Sequence, residues 1–311
     1  MGTTRLADTI NSAQAIQTSV RPESYARRRA LLWMLPALLI VVVLFGGGLV
    51  LGVLQALGYF PGGDATFTFN HVIQVFSDPD FFTSLVLTFY MAFTSTLIAT
   101  VLSVLCALLL TNLTQRFQWL YTILQIPLVV PHLVIAIALL FLLAPTGFLA
   151  RVAQVFHVIA DAEQFPLLVH DPWLVGVILV YVWKEVPFIT LMILSVLLNL
   201  GPDFLDVGKT LKATSWQRFR FIILPTIAPN LGAGALIVFA YSFGTFEVPY
   251  LLGQTFPMTL PVWAYRNYSD IDLLSRPEGI AMGIIIAIII ALCVYGAHLL
   301  LRKPSSRTLP I

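Results

Sequence analysis

So little of this chain is charged that its charged residues stand out, and three groups of them have types and spacings suited to chemistry. The first is a polar, basic stretch, Asp206-Val207-Gly208-Lys209-Thr210-Leu211-Lys212-Ala213, followed by Trp216, Phe219 and Ile222-Ile223-Leu224-Pro225. A polar segment between long apolar runs is well placed to touch something outside the membrane; the plainer reading is an inter-helix loop whose Lys and Arg serve only the positive-inside bias. The second is Lys184-Glu185, two opposite charges inside an apolar run. Neighbours on a helix point about 100° apart, so each needs a different partner. Ionisable groups at membrane depth are candidates for a gate or a solute path; the plainer readings are an inward salt bridge or a snorkelling lysine. The third is Glu247, with Phe243, Phe246 and Tyr250 close by in sequence. A carboxylate among aromatic rings suits an organic cation, each ring adding about 0.5–2 kcal/mol of cation–π attraction. The same residues also fit an interfacial aromatic belt.

Other chemistries lack their residues. Gly208-Lys209-Thr210 ends like a phosphate-binding loop, but Asp203 stands where that motif needs its first glycine, and no strand precedes it. There is no Gly-x-Ser-x-Gly elbow and no carboxylate pair in a soluble segment. His132 follows Pro131 and is read as satisfying a carbonyl that the proline frees. His71, His157, His170 and His298 are scattered, without the spacing of a zinc site. Cys106 and Cys293 lie in apolar runs and read as small core residues. A net charge of +2 gives no bulk attraction to nucleic acid. The chain is therefore expected to be no enzyme and to need no cofactor or metal. Energy for any uphill work must come from a partner or an ion gradient.

The elements that hold these residues are membrane helices. With 59% hydrophobic and 10% charged residues, the chain departs far from an ordinary soluble domain, which carries about 25% charge. Its mean hydropathy is +0.91. Six apolar runs, roughly 31–58, 81–111, 119–144, 173–198, 226–250 and 279–301, reach the ~20 residues needed to cross a bilayer. None shows the alternation of a barrel strand. The expected fold is all-α and polytopic. Pro127, Pro131, Pro187 and Pro249 predict kinked helices. Residues 1–30 and 302–311 are expected to be tails flanking a single domain over 31–301, and the first run is expected to be an uncleaved anchor. Lys and Arg are asymmetric: thirteen of the seventeen lie in the two tails, at Arg116 and in the loop 199–225. That bias puts both termini and the loop in the cytoplasm. An outer segment carries Phe148, Leu149, Val152, Val155, Phe156 and Ile159 near helical spacing, as in a surface-lying amphipathic helix.

Within the loop, Pro202 and Asp203 suit the start of a short helix over 203–211. Ala213-Thr214-Ser215 then makes a turn and a second N-cap, before a helix lined by Trp216, Phe219, Ile222 and Ile223. The order of acid, two small residues, three residues, a turn position, nine residues and Ile-x-Leu-Pro resembles the coupling loop of permease subunits in bacterial ATP-binding-cassette importers. Asp206, Val207 and Gly208 occupy its Glu-Ala-Ala positions, and Lys212 stands at its usual turn glycine. Ile126-Pro127-Leu128-Val129-Val130-Pro131, Trp183-Lys184-Glu185-Val186-Pro187-Phe188, Phe243-Gly244-Thr245-Phe246-Glu247-Val248-Pro249, and Leu260-Pro261-Val262 with Tyr265 and Arg266 extend the similarity towards permeases of the spermidine/putrescine type.

The resemblance implies two ATPase subunits gripping Asp206, Val207, Gly208, Leu211, Lys212, Ala213 and Trp216. It also implies a second permease subunit, identical or different, and a soluble outer binding protein. ATP would then be bound by the partners. The cargo suggested is a polyamine-like organic cation, with ferric ion, thiamine and phosphonates as alternatives. A lone secondary transporter or channel, using Lys184, Glu185 and Glu247 as a relay, is the competing reading.

Overall fold

The computed structural model describes residues 23–59, 67–113, 118–199 and 212–301. Among them every regular element is helical, as the composition predicts. Six apolar helical segments are long enough to cross a membrane. The chain divides into two units, Met1–Gln55 and Ala56–Ile311, each taken separately below.

In the first unit, α1 (Glu23–Val41) passes through a π-helical turn, Val42–Gly46, into α2 (Gly47–Ala56). The helix starts at residue 23, within the tail expected over 1–30.

The second unit is built around two long helices, α4 (Asp80–Leu113) and α8 (Val175–Asn199), preceded by the short α3 (Asn70–Ser77). The α4–α8 contact is the most extensive in the chain. Small hydroxyl residues make close packing possible: Ser103 Oγ donates to Ala99 O at 2.6 Å and reaches across to Val186 O at 2.9 Å. Hydroxyls that back-bond like this satisfy themselves and let helices approach.

The third apolar run is not one helix. It breaks into α5 (Gln118–Val129) and α6 (His132–Leu143), because Pro131 is extended, with ψ 145°, and has no N–H to continue the ladder. Pro127 and Pro187 are carried inside their helices. The amphipathic segment appears as α7 (Phe148–Val155), with Ala150 buried and Phe148, Val155 and Phe156 exposed.

The fifth run forms one continuous rod. α9 (Ser215–Arg218), a π-helical turn (Phe219–Ile223) and α10 (Leu224–Gly244) follow without interruption, through Pro225 and Pro229. Thirty residues of helix span about 45 Å at 1.5 Å per residue. The rod ends where Thr245 turns extended, with ψ 141°, and α11 (Glu247–Leu252) restarts in a new direction. The rod packs on α4, α8 and the last helix, α13 (Arg276–Leu301); α12 (Leu260–Ser269) lies against α13. Gly279 makes that last contact possible, since a Cβ there would sit 2.7 Å from both Ala264 O and Tyr268 N.

Candidate functional site

The two helix breaks meet on one face of α8. Tyr181, Lys184 and Glu185 project from it near the middle of the helix, and all three are buried. The expectation that Lys184 and Glu185 point to separate partners holds. Lys184 Nζ donates to the carbonyls of Pro127 at 2.8 Å, Leu128 at 3.4 Å and Val130 at 2.5 Å. These groups end α5, where Pro131 has removed the next backbone donor. The ammonium thus closes the negative end of a half-helix, which is neither a salt bridge nor snorkelling.

Glu185 faces the other half-helix. Its Oε1 lies 3.3 Å from His132 Nε2. This is the only ion pair among the described residues. The ring's other nitrogen, Nδ1, is 3.0 Å from the Tyr241 hydroxyl on the rod. With Nε2–H donating to the carboxylate, Nδ1 accepts from the tyrosine. His132 therefore does not satisfy a freed carbonyl, as its place after Pro131 suggested. Lys184 does that, and the imidazole links α8 to the rod. Beside it, Tyr181 and Thr245 share a hydroxyl–hydroxyl bond of 2.7 Å, which ties α8 to the second break. The rings of His132 and Tyr241 lie 4.8 Å apart. Together His132, Tyr181, Glu185, Tyr241 and Thr245 form one polar cluster between helices that are otherwise apolar.

The Glu247 group divides. Phe243 is fully buried in a core cluster with Phe81, Met282 and Leu260, its ring 4.9 Å from Phe89. It offers no face to a solute, because the rod's last turn rotates it away from the break. Phe246 stacks on Tyr265 at 4.2 Å, and Tyr250 meets Tyr265 edge-on at 5.5 Å. Arg266 already lies over the Tyr250 ring, at 6.0 Å. Glu247 itself is exposed at the start of α11. It stands two residues after Thr245 of the polar cluster.

Of the loop residues, Asp206, Val207, Gly208 and Leu211, with the helix expected over 203–211, lie outside the described residues. Lys212 is in the left-handed region, at φ 54°, where a lysine costs about 1–2 kcal/mol relative to ordinary backbone. Ala213 follows, half-buried. Thr214 then caps the rod in a reciprocal capping box: Gln217 N donates to its Oγ1 at 3.3 Å, and its own N–H donates to Gln217 Oε1 at 2.8 Å. Trp216, 68% exposed, projects from the first turn. The rod therefore runs from an exposed indole at one end to Tyr241 of the polar cluster near the other.

Sequence reasoning missed Tyr181, Tyr241 and Thr245. Tyr241 sits three residues before Gly244-Thr245, the small-residue pair at which the rod stops, and that was the available signal.

The comparisons with known proteins agree with this architecture. The family described as "Binding-protein-dependent transport system inner membrane component" matches residues 99–304, well over half of the chain. The sulfate transport system permease protein CysT of Escherichia coli (strain K12) is 28% identical over 176 residues, covering 56% of this chain and 59% of that protein. The chain thus aligns with less than two thirds of that relative's length. The ferric transport system permease protein FbpB of Actinobacillus pleuropneumoniae is 26% identical over 204 residues, covering 64% of this chain and 28% of that protein. Among solved structures, a bacterial ABC transporter involved in import of the acidic polysaccharide alginate superposes with a TM-score of 0.73. That match is 20% identical and covers 90% of this chain and 99% of that one. At that identity the likeness speaks for the fold.

Proposed function

The chain belongs to the family of binding-protein-dependent transport system inner membrane components, and on that premise we propose that it is the permease subunit of an ATP-driven importer of small solutes. It provides half of a path across the bilayer, with a second permease subunit providing the other half. A soluble protein on the outer face delivers the cargo. Two ATPase subunits act from the cytoplasm on residues 203–216, the loop that the positive-inside bias assigns to that side.

The observation that carries this reading is the continuous rod from Thr214 to Gly244. A push on an exposed docking end travels along a hydrogen-bonded helix to the Tyr241–His132 contact, about 40 Å away at 1.5 Å per residue. Packed helices shift as units between discrete arrangements, so such a rod can switch access to the path. Asp206, Val207, Gly208, Leu211, Lys212, Ala213 and Trp216 supply the docking end. Lys184 secures the broken helix, and Glu185 with Glu247 supplies negative charge in the path. The preferred cargo is a small organic cation of polyamine type, since Glu185 lies in the polar cluster and Glu247 stands two residues beyond Thr245 of it; ferric ion is the runner-up.

The test is purification of the chain from its own membranes. The reading requires a co-purifying ATPase whose hydrolysis is coupled to uptake in the wild type and uncoupled by Trp216→Ala. Gradient-driven flux with no ATPase attached would overturn it.

A further inference from the structure

We propose that Glu185 receives the positively charged group of the solute in the path, and that His132 holds its place until that group arrives. This deepens the importer reading and rests on it.

Glu185 is 8% exposed, and one imidazole nitrogen is its sole hydrogen-bond partner among the described residues. An ionised carboxylate has about four acceptor positions. At 3.3 Å the contact is longer than a charge-assisted bond, which closes to about 2.7–2.9 Å. A buried carboxylate held this loosely is costly unless something else binds it. Its neighbour Lys184 is no help, because its ammonium is engaged by three carbonyls of the α5 terminus. The bonding capacity of the carboxylate is therefore under-filled.

The way in runs past the imidazole. The His132 side chain keeps 20% of its surface accessible, and Tyr241, which holds the imidazole's far nitrogen, is 38% exposed. Tyr241 rides on the rod. Movement of the rod takes the Tyr241 hydroxyl off Nδ1 and removes what orients the ring on Glu185. The carboxylate is then open to a competitor.

The chemistry of the competitor follows from what surrounds it. A primary ammonium has three donors on a compact centre. One reaches Glu185 and others reach the hydroxyls of Tyr241 and Thr245. Glu247 supplies a second carboxylate two residues beyond Thr245. An oxyanion would meet a carboxylate with no unengaged cation beside it among the described residues, so sulfate is the wrong cargo for this cluster.

The experiment uses the full chain with its co-purifying ATPase in lipid nanodiscs, titrated calorimetrically with 1,4-diaminobutane and, separately, with sulfate. The wild type is expected to bind the diamine and not sulfate. Glu185→Gln is expected to weaken diamine binding about tenfold or more, the scale of one charge-assisted bond. His132→Ala, which vacates the carboxylate, is expected to tighten it. Binding of sulfate but not the diamine, or an unchanged affinity in Glu185→Gln, overturns the proposal.

The wild-type protein offers a second readout independent of how the variants fold. The nitrogen resonances of the His132 imidazole must move when the diamine is added; resonances that stay in place at saturating diamine overturn the placeholder role. An assembly that hydrolyses ATP and imports another solute while ignoring the diamine sinks this proposal alone. A chain that brings down no ATPase sinks the reading beneath it.

Discussion

Lys184 and Glu185 are adjacent on α8, equally deep and opposite in charge, yet their surroundings differ completely. The lysine has three carbonyl partners; the glutamate has one imidazole. The lysine faces a half-helix that ends, where backbone acceptors are in surplus. The glutamate faces a half-helix that begins, across a cluster of side chains carried by other elements. A buried charge whose bonding capacity is filled by backbone is part of the architecture. One met by a single side chain is, on the proposal above, open to exchange. On that proposal, structure and function are separated by one position on the same helix.

The largest expected effect tests the structural half of this contrast. Lys184→Met leaves three part-buried carbonyls without their donor. At about 1–3 kcal/mol for each unsatisfied group, the loss is several kcal/mol. It should appear as a large fall in melting temperature in detergent or as failure to accumulate in the membrane. Unchanged stability would mean that the ammonium is not what closes α5. Next comes Glu185→Gln, an isosteric change that removes the charge but keeps a hydrogen-bonding group. Its melting temperature should stay close to that of the wild type, while uptake by the intact transporter falls about tenfold or more. If stability fell and transport per folded molecule did not, the glutamate would be structural too, and the contrast would dissolve.

The same opposition recurs on a smaller scale at the start of the rod, where Thr214 is fully bonded and Lys212 is strained. Thr214→Ala removes the capping box and should cost about 1 kcal/mol in chemical denaturation. Lys212→Gly should do the opposite, giving about 1 kcal/mol or less of stabilisation, because glycine occupies the left-handed region without a Cβ clash but orders a looser unfolded chain. A destabilised Lys212→Gly would show that the lysine side chain earns its place through contacts made when a partner is bound.

Much of this was legible in the residues. Apolar runs of sufficient length located five of the six membrane-length segments, since length and hydropathy are local properties; the run over 119–144 breaks at Pro131, and the membrane-length segment there is 132–155. Pro131 announced a break, and the adjacency of Lys184 and Glu185 announced divergent partners. Which partners they found was not legible. The acceptors of Lys184 lie more than fifty residues away, and nothing in the order of residues says which end of which half-helix α8 passes. His132 was misjudged for the same reason: its proline neighbour suggested a local role, whereas the tertiary fold put Glu185 and Tyr241 on its two nitrogens. Phe243 looked like a companion of Glu247 because the two are four residues apart, the spacing of one helical face. The rod ends between them at Gly244, so that spacing no longer implies a shared face. Lys212 shows the converse case, a turn whose glycine-like backbone the loop's resemblance implied, and whose φ is 54°.

On the proposed function, the chain is driven by partner ATPases through its 203–216 loop. The most direct test is accumulation of radiolabelled solute in proteoliposomes, using the chain alone and the chain reassembled with its ATPase and binding protein. The account predicts uphill accumulation only in the assembled system and only with ATP. Concentrative uptake by the chain alone, on an ion gradient, would contradict it.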